Sequence, residues 1–175
     1  ELLWDIDAKI PDDDDEAFGG GIAYADGRLF VTTGFAQIFA IDVESGKELW
    51  RKKSSGPMRA PPAVKSDRVF AITIDNQLFA YSAKTGEKLW SHAGFSEVAG
   101  LLGGASPAVS DGAVIAPYSS GEVYALRVEN GRVLWSDNLT SSRRLDALSS
   151  LADIRGMPVV DRGLVYAISH SGRMV

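Results

Sequence analysis

The chain has 175 residues, no cysteine, and a formal charge of −5 from 18 basic and 23 acidic side chains. That length supports an ordinary core without disulfide or metal staples. The lack of cysteine removes disulfides, thiolate chemistry and cysteine-based zinc sites, and the acidic balance argues against a nucleic-acid partner, because phosphate binding needs a basic face.

In chain order, the opening ELLWDID lacks the basic start and apolar run of a signal peptide, so a signal, if there is one, has been removed or lies outside this chain. The acidic run from Asp12 to Glu16 offers carboxylates to a hard cation. It lacks the glycine-turn spacing of a calcium loop, however, and reads as a solvated segment, so no metal site is expected. Gly19 to Gly21 read as a turn leading into a strand. A pattern then begins that is repeated along the chain. Ile22, Leu29-Phe30, Ala40, Gly46 and Trp50 mark one unit; Pro62, Val69-Phe70, Ala80, Gly86 and Trp90 the next; Pro107, Val114-Ile115, Ala125, Gly131 and Trp135 a third. Pro158 and Val165-Tyr166 open a fourth, unfinished unit, and Trp4 closes the tail of one before the first. The tryptophans recur at spacings of 46, 40 and 45 residues, a period typical of propellers and solenoids.

Within the second complete unit the runs PAVKS, RVFAITI, QLFAYSA and KLWSHA are short and rich in β-branched and aromatic residues, with turn material between them. Four such strands make one antiparallel sheet, which cannot cover both its faces without a neighbour. Units of this length favour blades around an axis over a linear stack. The expected fold is therefore all-β: a β-propeller of four-stranded antiparallel blades, with residues 1–175 as one partial domain and its repeats closing at Trp4, Trp50, Trp90 and Trp135. One segment competes. RLDALSSLADI places Leu145, Leu148, Leu151 and Ile154 three apart, as on one face of a short helix or 3₁₀ stretch. It lies in the longest connection between units, 23 residues from Trp135 to Pro158, against 12 from Trp50 to Pro62 and 17 from Trp90 to Pro107. Long loops on a rigid scaffold are where binding is commonly built.

Gly46, Gly86 and Gly131 suit turns that need a positive φ. The tryptophans read as clamps between blades, each indole buried against the neighbour's backbone and small alanine while its N–H finds an acceptor. No catalytic residue and no cofactor site is expected: phosphate-loop, zinc-protease and nucleophile-elbow motifs do not occur, and His92 and His170 read as edge or turn histidines. Arg143 and Arg144, beside Asp146 and Asp153, read as ordinary loop charge.

The pattern resembles the tryptophan-docking repeat AxDxxTGxxxW of the pyrroloquinoline-quinone-type propellers. Ala40, Asp42, Ser45, Gly46 and Trp50 match all but its threonine. Ala80, Thr85, Gly86 and Trp90 match with Ser82 in place of the aspartate, and Ala125, Gly131 and Trp135 match with Arg127 and Asn130 at the remaining positions. Propellers of this type carry about eight blades, so the chain corresponds to half a ring. Leu151-Ala152-Asp153-Ile154 leading into Pro158, and LLGGASPAV before it, are similar to two loops of the BamB family of outer-membrane assembly lipoproteins. The resemblance implies a non-catalytic scaffold of the β-barrel assembly machinery on the periplasmic face of the outer membrane. It would bind the POTRA domain of BamA, and unfolded outer-membrane proteins as a further partner, with a lipid anchor absent from this chain as its one membrane attachment. The contact residues so implied are Leu101 and Asp153. Leu102 stands where the family loop has arginine, and Arg155 where it has a second aspartate, so either the partner's charges differ or the contact is mostly apolar, through Leu101, Leu102, Leu148 and Leu151. A quinoprotein dehydrogenase-type enzyme and a ligand-sensing propeller are the alternatives.

Overall fold

In a computed structural model the protein is all-β, and the structure describes residues 3–8, 19–95, 104–110, 112–140, 154, 156–170 and 172–175. The first sheet is formed in sequence order by β1 (Gly20–Ala25), β2 (Arg28–Thr33), β3 (Gln37–Asp42) and β4 (Glu48–Lys53). The second holds β5 (Ala63–Lys65), β6 (Arg68–Ile72), β7 (Gln77–Ser82) and β8 (Lys88–Ala93), and the third β9 (Ala108–Val109), β10 (Ala113–Pro117), β11 (Glu122–Arg127) and β12 (Val133–Asn138). A hairpin of β13 (Val159–Asp161) and β14 (Leu164–Tyr166) begins the fourth. All pairings are antiparallel.

The opening strands of successive sheets lie side by side: β1 against β5, β5 against β9, and β9 against β13. The sheets therefore radiate from a common inner line, with β4, β8 and β12 outermost, which is the arrangement of propeller blades. Each core sits between two neighbouring sheets. Phe30, Ile38, Ala40 and Trp50 of the first blade pack against Val69, Ala71, Phe79 and Tyr81 of the second. Phe70, Leu78 and Ala80 meet Val114, Ala116 and Leu126, and Ile115, Val123 and Ala125 meet Ala167, with Val160 and Val165 at the margin. The central strands β3 and β7 are buried on both faces, so their sequences QIFAID and QLFAYS run apolar without alternation.

Every complete blade carries an irregularity at the same place. The register shifts between Ala40 and Ile41, between Ala80 and Tyr81, and between Ala125 and Leu126, so that each alanine faces Trp50, Trp90 or Trp135 and the preceding leucine is skipped. The bulge re-aims the indole out of its own sheet. The alanines expected to receive a neighbour's indole are instead the cross-strand partners of the tryptophan in their own sheet; lacking bulk, they leave room for Phe30 and Phe70, whose rings lie 6.1 Å from Trp50 and 5.7 Å from Trp90.

Of the expected helical segment, Ile154 alone is described. It is buried and forms an antiparallel bridge with Ser169.

Candidate interaction site between blades

Three of the four tryptophans meet the same element of the next blade. The turn after the third strand is closed by a hydrogen bond from the glycine N–H to a carbonyl four residues back: Gly46 to Asp42, Gly86 to Ser82 and Gly131 to Arg127, each 2.9 Å. The three glycines have φ of 69°, 70° and 71°, a left-handed conformation that disfavours other residues. A second constraint acts on them as well. A Cβ at Gly46 would stand 2.6 Å from Cγ of Trp4, and at Gly86 or Gly131 it would stand 2.5 Å from Cε3 of Trp50 or Trp90. Each indole thus lies flat on a backbone made bare for it.

The indole N–H completes the joint. Trp4 donates to the Val43 carbonyl at 2.9 Å, Trp50 to that of Ala83 at 3.0 Å and Trp90 to that of Val128 at 3.0 Å, always three residues before the glycine. The acceptor residue is itself held, since the N–H groups of Val43, Ala83 and Val128 donate to Gly27, Asp67 and Gly112 at 3.0, 2.9 and 3.1 Å. These acceptors escape sequence reading because a backbone carbonyl leaves no side-chain signature. Trp135 is 42% exposed, and its indole N–H makes no hydrogen bond among the described residues.

A polar cluster joins the second and third blades at the end where their connection departs. Asn76, buried in the turn between β6 and β7 with φ of 57°, accepts at Oδ1 from the N–H and hydroxyl of Ser119 (3.0 and 2.9 Å). Its Nδ2 donates to the Phe95 carbonyl at 2.7 Å. Glu122, only 5% exposed, accepts at Oε2 from the Phe95 N–H (3.1 Å) and the Ser120 hydroxyl (3.0 Å), and at Oε1 from Tyr124 (3.0 Å). His92 on β8 lies parallel to the ring of buried Tyr118, whose hydroxyl is 2.9 Å from Nδ1, and tilts against Tyr124 at 4.6 Å. Burial holds the imidazole below its ordinary pKa, opposed by the Glu122 carboxylate, and burial pushes both phenols up. Gly94 has no side chain because a Cβ there would meet the Tyr118 ring at 2.5 Å. None of Asn76, Glu122 and Tyr118 is singled out in the sequence; Asn76 falls in the turn material between two strands of the second unit.

The expected contact residues Leu101, Leu102, Leu148, Leu151, Asp153 and Arg155 all lie outside the described residues, as do the acidic run and Arg143 and Arg144. What the structure gives is the framework on either side of those segments. Among the described residues no group of three His, Asp or Glu side chains is placed to hold a metal ion.

Radial four-stranded sheets in which Trp50 and Trp90 of the outermost strands β4 and β8 dock on the next sheet's glycine turn define a tryptophan-docked β-propeller. Residues 1–175 match the family model of outer membrane protein assembly factor BamB, and the chain belongs to that family. It is 32% identical over 155 residues to outer membrane protein assembly factor BamB of Salmonella typhimurium, covering 89% of this chain and 40% of that one. The chain spans about two-fifths of the length of the curated relatives it matches. In fold it is similar to the crystal structure of BamB from Moraxella catarrhalis, with a TM-score of 0.81 at 24% identity over 90% of this chain and 48% of that one. A quinohemoprotein alcohol dehydrogenase from Pseudomonas putida shares the fold at a TM-score of 0.66 and 17% identity, over 85% of this chain and 28% of that one.

Proposed function

We propose that residues 1–175 form one partial propeller domain of a non-catalytic scaffold in the outer-membrane β-barrel assembly machinery, working on the periplasmic face of the outer membrane. Its partner is the POTRA region of BamA, with unfolded outer-membrane proteins as a further class of client. The observation that carries this reading is the family match along the whole chain. Two features of the molecule agree with it. The blades are rigid units with backbone-satisfied joints, suited to presenting loops at fixed separations. The connections bearing Leu101 and Leu102, and Leu148, Leu151, Asp153 and Arg155, follow β8 and β12 and so leave the ring at the same end.

The test is binding of the purified periplasmic region of BamA to the chain and to Leu101→Asp and Asp153→Ala variants. Loss of binding with an unchanged melting temperature is expected; variants that bind as the parent does overturn the assignment. A quinoprotein dehydrogenase-type activity is supported by a likeness of fold alone. A quinone-dependent dye-reduction assay that turns over would replace the scaffold reading.

A further inference from the structure

Gln37, Gln77 and Glu122 open the third strands of their blades, and Arg173 holds the matching place in the fourth unit, its carbonyl accepting from the Ser169 N–H as those of Gln77 and Glu122 accept from Thr73 and Tyr118, each at 2.9 Å. Each follows a residue with positive φ, namely Ala36, Asn76, Gly121 and Gly172. The residue after each outermost strand donates its N–H to the turn of its own blade: Ser54 to Ala36 at 2.7 Å, Gly94 to Asn76 and Leu139 to Gly121 at 2.8 Å. The next residues, Ser55, Phe95 and Thr140, are therefore equivalent. They are the points at which the chain departs for the following blade.

At two of these points the following blade reaches back. Glu122 accepts the Phe95 N–H at 3.1 Å, and Arg173 donates from Nη1 to the Thr140 carbonyl at 3.0 Å. The chemistry is opposite in sign but the target is the same, the departing backbone. Asn76 holds the other side of Phe95, so both polar backbone groups of that residue are fixed by buried side chains while its ring is 72% exposed. No corresponding bond joins Gln77 to Ser55. The difference follows connection length: the departures held by a side chain of the following blade lie in the connections of 17 and 23 residues, counted from Trp90 to Pro107 and from Trp135 to Pro158. The shorter one, 12 residues from Trp50 to Pro62, is tied by backbone instead, the Ile74 N–H donating to the Pro57 carbonyl at 2.9 Å and the Met58 N–H to the Thr33 carbonyl at 3.0 Å. A buried carboxylate is costly, and three donors around Glu122 offset that cost for a group whose packing alone would be served by an apolar residue.

We infer that Glu122 and Arg173 are positioning residues, one per long connection, that anchor the departing chain for partner contact, with Asn76 completing the first anchor; the inference rests on the binding function proposed above. Fixing the root of a loop before binding lowers the ordering cost paid on association.

The experiment measures amide exchange by nuclear magnetic resonance, and affinity for the periplasmic region of BamA, in the full chain and in Glu122→Ala, Glu122→Gln and Arg173→Ala. Glu122→Ala should speed exchange of the Phe95 amide about tenfold with the amides of β10 and β11 unchanged, and weaken BamA binding about tenfold. Glu122→Gln, which keeps an oxygen acceptor, should retain both. Arg173→Ala, at an exposed side chain, should weaken binding without lowering the melting temperature. Unchanged exchange at Phe95 in Glu122→Ala overturns the anchor, and so does faster exchange spread equally over β10 and β11. Unchanged BamA affinity in both alanine variants overturns the positioning role. Failure of the wild-type chain to bind BamA overturns the binding function and, with it, the purpose of the anchors, whereas the Phe95 exchange still reports the contact itself.

Discussion

Trp50 and Gly86 are fitted to one another: the indole lies where a side chain at 86 would be, with Cε3 2.5 Å from the missing Cβ. Gly27 has a similar φ, 72° against 70°, but nothing stands within 4 Å of its absent Cβ. The pair separates backbone strain from docking. Gly27→Ala should cost about 1 kcal/mol, and Gly86→Ala more than about 2 kcal/mol, since strain and overlap act together there. Urea unfolding of the two variants checks the difference; equal losses would mean that the indole is not held against the turn.

Trp90 combines burial with a hydrogen bond to Val128, and the two parts can be removed in turn. Trp90→Ala should cost about 3 to 5 kcal/mol, as large core truncations do. Trp90→Phe keeps a ring but leaves the Val128 carbonyl without the indole donor, and should cost about 1 to 2 kcal/mol. Trp135→Ala should cost about 1 kcal/mol or less in this chain, because the side chain is exposed and makes no bond. Chemical denaturation of the three variants gives the order directly.

His92 should make stability fall on mild acidification. Its imidazole faces Tyr118, Tyr124 and Glu122, and burial keeps its pKa below the ordinary 6.5. Between the lowered folded value and 6.5 the unfolded chain binds the proton more readily than the folded one. Stability is thus full above 6.5, falls as pH drops through it, and stops falling from this source once the folded imidazole is also protonated. His92→Gln should lose less stability than the parent between about pH 7.5 and 5.5, measured as melting temperature against pH. Parallel curves would show that the imidazole is not the group responsible.

Asp42 and Ser82 hold equivalent places in the docking turns. Asp42 Oδ1 accepts the Ser45 N–H at 2.9 Å and the Ser45 hydroxyl at 2.5 Å, bonds that keep its carboxyl below the usual range, whereas Ser82 Oγ takes the Thr85 N–H at 3.3 Å. Ser82→Asp should raise the melting temperature, because a carboxylate caps the turn more strongly than a hydroxyl. The gain should fade as pH falls through the aspartate range.

The blades were legible because their signal is carried by side chains at a fixed period. Trp50, Trp90 and Trp135 end the outermost strands, Gly46, Gly86 and Gly131 carry the turn, and the apolar couplets at 29, 69 and 114 fall in second strands. What escaped is carried by backbone or by context. The indole acceptors are carbonyls of Val43, Ala83 and Val128, whose side chains differ in no telling way from their neighbours. The second reason for the docking glycines required knowing what lies above them. Glu122 looks like any polar residue opening a strand, since its burial depends on Phe95, Ser120 and Tyr124 converging from two blades. The small alanine of each repeat suggests a surface for a neighbour's indole; the bulge beside Ala80, which pairs it with Trp90 of its own sheet, has no residue of its own to announce it.

The joint between blades points one way: the first and second units each offer a hook in the final strand and an eye in the turn before it, and the hooks Trp50 and Trp90 enter the eyes of the units that follow, as Trp4 enters that of the first. Such couplings do not record which unit they join. A blade copied or lost in whole during evolution leaves every surviving joint with compatible halves, so the number of blades is set by ring closure and the identity of each blade is free to be written in its loops.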